Sequence, residues 1–458
     1  MADLLSILSF SGQSLGAQRG ALQTTGHNLS NAATPGYSRQ RAELTAASSG
    51  RGVLLGAVTQ ARDRFVESQL PSGLSRRARS RAESEALAAL SALDPTAEEG
   101  LTAAVGDFYG GLRALAQSPG NLPLREAAAG KTRALALAFH RASADLDAAR
   151  DGADARLEGL AEEVNSRAAE VAALNGQIRT ARASGDAPND LLDARQRALD
   201  RLAELAGGTP VLDASGDVSV ALPSGAALVT GDRAGALSAI ADPSNGGHLS
   251  LQLTRSDGSG PVALAASPGG EMGGLLDARD GALKTAEASV DTLAFDLASA
   301  VNAAHRAGYG LDGASGRDLL DAGGTASGAA SRLQLSAAVS ADVRAIAAAA
   351  DATAAPGDAA NLQAVIATES QALSSGDTAS AALARTISRF GASAQRAQSA
   401  FEADAAALEQ LDGLRQSTSG VSIDEEMVDM TKAQRAYEAI TRVMTTANDM
   451  LDALMKLR

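Results

Sequence analysis

Leucines recur at intervals of seven residues near the start of the chain, at Leu8, Leu15, Leu22 and Leu29. This spacing predicts an amphipathic helix over the first thirty residues. A second row begins at Leu4 but continues with polar residues, so half of the predicted contact face is polar. We expect such a helix to be marginal alone and to need a partner. The segment 31–37 ends it, because Pro35-Gly36 cannot continue a helix.

The last forty residues carry the most sustained apolar repeat of the chain. Its members alternate four and three positions apart: Ala433, Tyr437, Ile440, Met444, Ala447, Leu451 and Leu454. A heptad of this length predicts a second helix with a coiled-coil face. Helices at both ends indicate that the chain extends away from its start and then folds back, so that the two terminal helices can pair. Periodicity alone leaves open whether these faces pack within one chain or between subunits.

The region from residue 60 to 205 is dominated by helical spacing. Its clearest stripe runs from Leu157 to Ile178, with charged residues on the opposite side. Two Pro-containing and Gly-containing segments, Pro71-Ser-Gly73 and 119–123, predict breaks in this helical region.

Residues 207–270 have a different pattern. Short alternating runs are separated by Ser-Gly and Asp-Gly pairs, which predicts a small antiparallel β unit. Helical spacing returns at 276–301, a short strand is expected near 333–335, and residues 342–416 are expected to be mostly helical.

Together these patterns predict a mainly α protein. It is an elongated helical bundle with paired N- and C-terminal helices and a small inserted β-rich domain. The predicted domains are a terminal coiled-coil layer of residues 1–45 and 419–458, a helical rod domain of residues 46–206 and 271–418, and the inserted β-rich domain of residues 207–270.

Composition narrows the possible functions. The net charge of −14 over 458 residues disfavours nucleic-acid binding, because an acidic chain repels phosphates. The absence of cysteine excludes disulfides, and aromatic residues make up only 2% of the chain. No apolar run is long enough to predict membrane insertion. The start of the chain lacks the basic region of a secretory signal, so we expect either a cytoplasmic protein or export by another route.

Motifs that suggest chemistry lack the required context. Ser14 sits in a Gly-x-Ser-x-Gly sequence, but inside a predicted helix rather than at a strand-to-helix turn. The glycines of 308–313 follow a helix, not a strand. The histidines are scattered without metal-ligand spacing. The arginine-rich run 76–81 is expected to be a solvated helix face. We therefore predict no catalytic, cofactor-binding or metal-binding residues, and a protein that is not an enzyme.

Two terminal segments carry a resemblance. Residues 28–39, which include Asn28, Asn31, Pro35, Gly36 and Tyr37, resemble the N-terminal signature of flagellar rod, hook and hook-associated proteins. Residues 419–427, followed by 434–437 and 446–452, look like the matching C-terminal signature. Interior segments, including Phe108-Tyr109, 188–193 and 301–309, resemble the hook-associated protein 1 family, also called the FlgK family.

This resemblance implies a structural subunit that joins the flagellar hook to the filament. It also implies secretion to the extracellular flagellum through the flagellar type III apparatus, without a cleaved signal, and ring assembly through the terminal helices. The implied partners are other copies of the chain, the hook protein, the second hook–filament junction protein and a flagellar export chaperone. The implied assembly interface comprises Leu8, Leu15, Leu22, Leu29, Tyr437, Ile440, Met444, Leu451 and Leu454.

Two other functions remain as alternatives. The nearer one is another flagellar axial protein, namely the hook protein or a distal rod protein. The second is a secreted hydrolase, which would require Ser14 to be a nucleophile.

Overall fold

The computed structural model describes residues 2–47, 52–88, 100–213, 215–264 and 267–456. The outermost residues of the predicted terminal layer (1, 457 and 458), parts of the predicted helical domain (48–51 and 89–99) and residues 214, 265 and 266 of the predicted β-rich domain lie outside the described residues.

Helices dominate the described chain. They are α1 (Ala2–Ser30), α2 (Arg64–Ala88), α3 (Leu101–Ala116), α4 (Leu122–Ala183), α5 (Asn189–Ala206), α6 (Gly270–Asp277), α7 (Lys284–His305), α8 (Ala329–Arg332), α9 (Ala337–Ala341), α10 (Ala360–Ala367), α11 (Ala379–Ser419) and α12 (Ile423–Lys456). A π-helical segment, Ala278–Leu283, connects α6 to α7. The terminal helices α1 and α12 pack against each other. The predicted fold class, mainly α with paired terminal helices, is confirmed.

The strands form small antiparallel sheets. They are β1 (Gln40–Ala46), β2 (Val53–Gln60), β3 (Thr209–Leu212), β4 (Val218–Ala221), β5 (Ala227–Thr230), β6 (Arg233–Ala234), β7 (Ala236–Ala241), β8 (Leu249–Thr254), β9 (Val262–Ala263), β10 (Leu320–Asp321) and β11 (Gln334–Leu335). The order β3-β4-β5-β6 makes one sheet and β7-β8-β9 another. These two sheets confirm the antiparallel β unit predicted in the middle of the chain.

Helix α4 is the longest of the described helices, and both apolar cores form along it. We call the part of the chain that packs around α4 the body. Its 62 residues span about 93 Å at 1.5 Å per residue. Its first half packs with α3, α7 and α10 in one apolar cluster, and its second half packs with α5 and the two inserted sheets in another. Leu157, Val164, Val171 and Ile178, each seven residues apart, are fully buried in the second half. The predicted apolar stripe is therefore the face that holds the inserted sheets.

The predicted break at Pro71-Ser-Gly73 is wrong, because α2 continues through it. Pro71 lacks the N–H that would bond to the preceding turn, which costs helix stability. Tertiary packing compensates, since Pro71 is buried and Gly73 lies against α11. A Cβ added at Gly73 would lie 3.2 Å from Leu411 and 3.3 Å from Leu408. The glycine thus permits a close approach of two helices rather than a turn.

Two further segments differ from the expected helical pattern. Strands β1 and β2 pair as a hairpin that packs on α1, and the sequence pattern did not indicate it. A Cβ added at Gly20 of α1 would lie 2.6 Å from Leu55 of this hairpin. Residues 346–359, within a region expected to be mostly helical, form an irregular segment instead.

Buried cationic and neutral polar groups hold the start of this irregular segment. The Arg125 side chain is buried and donates to the carbonyls of Pro119 (2.6 Å) and Ile346 (2.7 Å). Burial lowers the pKa of Arg125 to about 10. His305, also fully buried, bonds through Nδ1 to the Arg317 carbonyl and accepts the Ala347 N–H at Nε2 (2.9 Å). Only a neutral imidazole with the proton on Nδ1 satisfies both bonds.

Acidification is expected to destabilise the body through His305. Burial is the main cause that lowers its pKa, Arg125 and Arg317 act in the same direction, and the Arg317 carbonyl and Asp318 oppose it. The unfolded chain therefore takes up a proton first as pH falls below about 6.5, and stability is lost. Melting temperatures of wild type and His305→Gln between pH 7.5 and 5.5 test this, since glutamine keeps a donor and an acceptor without titrating. We expect the melting temperature of wild type to fall more steeply with decreasing pH than that of His305→Gln. Equal dependence on pH in the two proteins would contradict this role of His305.

Candidate functional site at the base of the terminal helices

Four distant parts of the chain meet where the terminal helices join the body. They are the end of α1 with the loop that follows it, the paired ends of β1 and β2, the start of α5, and the start of α12. We call the terminal module the set α1, β1, β2 and α12. We call the junction network the side chains of Asn28, Tyr37, Arg39 and Glu426 together with the backbone of Gln40, which connect the parts of this module.

Asn28 is the centre of the junction network. Its Nδ2 donates to the Gln40 carbonyl (2.8 Å) and to Glu426 Oε2 (3.0 Å). Its Oδ1 accepts from the Gln40 N–H (2.9 Å) and from the Tyr37 hydroxyl (2.8 Å). Two donated and two accepted bonds use the whole capacity of an amide side chain. Because Asn28 is only 1% exposed, no water can replace a lost partner without a structural change.

Tyr37 holds the loop that follows α1 against the end of that helix. Its hydroxyl donates to Asn28 and lies 3.1 Å from His27 Nδ1, and the two rings meet edge to face. Burial raises the pKa of the Tyr37 hydroxyl, and the nearby carboxylates of Asp190, Asp193 and Glu426 add to this effect. Tyr37 is therefore a neutral hydrogen-bond donor at every physiological pH.

Arg39 connects β1 to the start of α12. Its Nε donates to Glu426 (2.7 Å) and its guanidinium also contacts Glu425 (2.8 Å). The Arg39 backbone N–H bonds to the carbonyl of Ser419, at the end of α11. Burial would lower the pKa of Arg39, but the bonds and charges of Glu426 and Glu425 outweigh it and raise that pKa. Glu426 is 3% exposed, so this ion pair is buried as well as hydrogen-bonded.

A second group of polar contacts fixes the terminal module to α5. Asp193 accepts from the Ser38 N–H (3.2 Å), from Gln60 (2.9 Å) and from Arg62 (2.8 Å). Asn189 donates to the Val58 carbonyl, and its own carbonyl accepts from Gln60. The segment 188–193, whose sequence contributed to the family resemblance, thus anchors the hairpin on the body.

The other signature residues shape the loop and lie outside the junction network. Asn31 donates from Nδ2 to the His27 carbonyl (3.0 Å) and caps the end of α1. Gly36 has φ of 75°, a left-handed conformation that favours glycine. A Cβ on Gly36 would also lie 2.8 Å from Arg197. Pro35 is exposed in this turn.

The predicted interface residues occupy two environments. Half-buried in the single chain are Leu8, Leu15, Leu22, Leu29, Tyr437, Ile440, Met444 and Leu451. Leu454 is 46% exposed. Ala433 and Ala447 are buried, as expected for α12 positions that face α1. Their role in assembly between subunits remains a prediction.

Several residues of the junction network and of the contacts with α5 were not predicted from the sequence. Arg39, Gln40, Asp193 and Glu426 carry no periodic pattern, and Asn28 and Glu426 are 398 positions apart. The available signal was positional: Arg39 ends the N-terminal signature, Asp193 ends the segment 188–193, and Glu426 lies in the C-terminal signature.

One carboxylate cluster could be mistaken for a metal site. Ligand atoms of Asp151, Asp154 and His248 lie within 4.8 Å of one another. His248 Nδ1 is 2.8 Å from Asp154, and the fully buried guanidinium of Arg279 bonds to the same carboxylate. A positive charge therefore already balances Asp154, so the cluster is best described as an ion-pair network between α4, β8 and the π-helical segment.

The suspected chemical motifs have structural roles. Ser14 lies inside α1, where its hydroxyl accepts the Val53 N–H (2.9 Å). The arginine-rich run, expected to be a solvated face, is partly exposed and also forms ion pairs with three other helices. These pairs are Arg76 with Asp404, Arg77 with Glu204, Arg79 with Asp277, and Arg81 with Glu271. Among the described helices, none combines the length and apolar character needed to cross a membrane.

A saturated amide, a neutral tyrosine and a buried ion pair connect these elements mechanically. The fold and this site therefore define a structural protein whose two ends form one helical module attached to a helical body.

Comparisons with known proteins specify the family. A family model described as the flagellar hook-associated protein FlgK helical domain matches residues 89–320. A second model, described as the flagellar basal body rod FlgEFG protein C-terminal, matches residues 415–457. The chain belongs to the FlgK family of flagellar hook-associated proteins, and it is a flagellar axial structural protein.

Individual relatives agree with this assignment. The flagellar hook-associated protein 1 of Bacillus subtilis is 27% identical over 97% of this chain and 96% of its own length. The Escherichia coli protein of the same name is 26% identical over 69% of this chain and 60% of its own length. The solved flagellar hook junction protein FlgK from Burkholderia pseudomallei is 27% identical, with a TM-score of 0.51 over 57% of this chain and 47% of that one. The chain thus spans less than two thirds of two of these relatives.

Proposed function

We propose that this protein is the structural subunit that joins the flagellar hook to the filament. It leaves the cell through the flagellar type III apparatus without a cleaved signal and assembles as a ring through its terminal helices. Its partners in this role are further copies of itself, the hook protein, the second hook–filament junction protein and, before export, a flagellar chaperone. Its helical rod domain and inserted β-rich domain then form the outer part of each subunit.

The proposal rests on where the exposed apolar side chains of the chain lie. Among the described residues, more than half of the large apolar side chains that are exposed lie in the terminal module, although this module is a small part of the chain. They include Val443 (49% exposed) and Met450 (52%) on α12. An apolar surface concentrated in one module marks an interaction site. The junction network holds the parts of that module together, and the contacts of Asp193 and Asn189 attach it to the body, as repeated assembly requires.

A second candidate function has its own support. The C-terminal match to a model of rod and hook proteins would also suit the hook or a distal rod position. The match of residues 89–320 to the FlgK helical domain favours the junction. The two candidates differ in where the subunit sits along the flagellum.

Labelling of a surface cysteine can locate the subunit. The chain has no cysteine, so Ser259→Cys, on an exposed turn between β8 and β9, creates one defined site. Maleimide–gold on isolated flagella from cells that carry this variant in place of wild type should mark a single narrow band between hook and filament. Gold along the hook, or at the rod, would refute the junction role and support the alternative.

A further inference from the structure

Three glycines of α1 are not required by the packing of the single chain. Gly12, Gly16 and Gly26 would each accept a Cβ with no atom of another element within 4 Å. Gly20 differs, because its Cβ would lie 2.6 Å from Leu55. Glycine inside a helix costs about 1 kcal/mol relative to alanine. The hairpin explains the glycine at position 20, whereas no contact within the described chain explains the other three.

Two of these glycines, Gly12 and Gly16, lie on one outward strip of α1. At 100° per residue, Leu5, Ser9, Gly12, Gly16 and Gln23 fall within a narrow arc of the helix. All five are exposed, whereas the buried Ser14, Ala17 and Asn28 lie on the opposite side. The strip therefore lies outside the contacts of α1 with α12 and the hairpin, although Gly20 beside it touches the hairpin, and its middle offers a shallow surface without side chains.

Helix α12 has a complementary strip. Val443, Met450 and Leu454 are seven and four positions apart and share one side of the helix, which borders the buried face that contains Ala433 and Ala447. Each is about half exposed. We call this strip the α12 ridge. It presents bulky apolar side chains that no other element of the described chain covers completely.

The two strips lie at the same height. Asn28 and Glu426 are hydrogen-bonded, which places them level at the base of the antiparallel pair. Gly12 is sixteen residues from Asn28, and Val443 is seventeen residues from Glu426. At 1.5 Å per residue both lie about 25 Å from the junction network. A neighbouring copy could therefore bring Val443 opposite Gly12 without any shift along the helix axis.

We propose that the α12 ridge of one subunit packs against the glycine strip of α1 in a second copy of this chain. The bulky side chains fill the surface that the glycines leave open, as in close helix–helix contacts generally. The contact uses a different surface on each copy, so it can repeat around a ring rather than stop at a dimer. The inference rests on the proposed function and names the two surfaces through which the ring would form.

Cysteine cross-linking tests this pairing in a chain that has no cysteine of its own. Gly12→Cys and Val443→Cys are made separately and expressed together, or alone, in cells that lack the wild-type chain. Flagella are isolated and treated with a short bismaleimide. We expect a covalent dimer only when the two variants are expressed together, and a ladder of larger products from the double variant. A matched pair, Ser259→Cys with Val443→Cys, should give no dimer.

Each other outcome overturns the pairing and identifies what failed. Dimers from Val443→Cys alone would show a two-fold contact between ridges. Linkage of Val443→Cys to a different protein would show another occupant. Flagella that contain both variants but give no dimer would show that the surfaces do not meet. If the chain is absent from isolated flagella that retain hook and filament, the proposed function itself fails.

Discussion

Replacing Asn28 with alanine is expected to loosen the terminal module while leaving the body intact. The change leaves the Gln40 backbone groups, the Tyr37 hydroxyl and Glu426 without their buried partner, and unsatisfied buried groups cost about 1–3 kcal/mol each. Allowing for partial rearrangement, we expect a loss of about 3 kcal/mol, which corresponds to roughly a hundredfold faster opening. Hydrogen exchange on the full chain measures this for amides of α1 and α12.

Asn31 provides the matched control for this experiment. It belongs to the same signature, three residues further on, but its side chain caps a helix end and is only partly buried. Asn31→Ala removes only partly exposed hydrogen bonds and should therefore cost about 1 kcal/mol or less. Similar exchange in both variants, or faster exchange in α4 as well as in the terminal helices, would show that Asn28 does not specifically hold the terminal module.

The terminal helices and the inserted β unit were predictable because burial imposes a period on the sequence. Val218 and Val220 alternate with half-buried residues as a sheet with one buried face requires. The leucines spaced seven apart in α1 are likewise half-buried, the 3-4 repeat of α12 contains the buried Ala433 and Ala447, and the two helices pack together. In these elements the local pattern and the tertiary structure agree.

The β1–β2 hairpin had no such signal. Most of its residues are exposed on both faces, so apolar and polar positions do not alternate. The continuity of α2 through Pro71 was equally hidden, because it depends on packing against α11, more than 300 residues away in sequence. Local rules predicted a break that a distant contact prevents.

The junction network was only partly accessible from the sequence. The family resemblance singled out Asn28 and Tyr37 but gave no reason for them. The reason is the set of partners of Asn28, which come from the loop after α1, from β1 and from α12 and are joined only in the folded chain. Hydrogen bonds between side chains so far apart impose no period, and no sequence pattern could have paired Asn28 with Glu426.

The second large effect, a loss of assembly, is expected from Gly16→Leu on the outward strip of α1. Leucine has a higher helix propensity than glycine, and the site is open in the single chain. The isolated protein should therefore melt at or slightly above the wild-type temperature. In the assembled ring the added side chain would clash with the ridge of the neighbouring copy at every contact, and overpacking costs about 1–3 kcal/mol each time. A variant that is stabilised as a monomer should thus fail in assembly.

Gly159→Leu is the matched control. Gly159 is an exposed glycine inside α4, and it too would accept a Cβ with no other atom within 4 Å. The same gain in helix propensity is expected there, without a contact in the proposed ring. The two variants therefore share the monomer effect and differ only in the surface that they alter.

Electron microscopy of flagella tests the central claim most directly, namely that this protein joins hook to filament through its terminal module. Cells lacking the wild-type chain are compared when they carry wild type, Gly16→Leu or Gly159→Leu, and the culture medium is assayed for the chain. We expect cells that carry Gly16→Leu to have bare hooks and to release the variant chain into the medium. We expect cells that carry wild type or Gly159→Leu to have filaments on their hooks. Normal filaments on cells that carry Gly16→Leu would contradict the central claim.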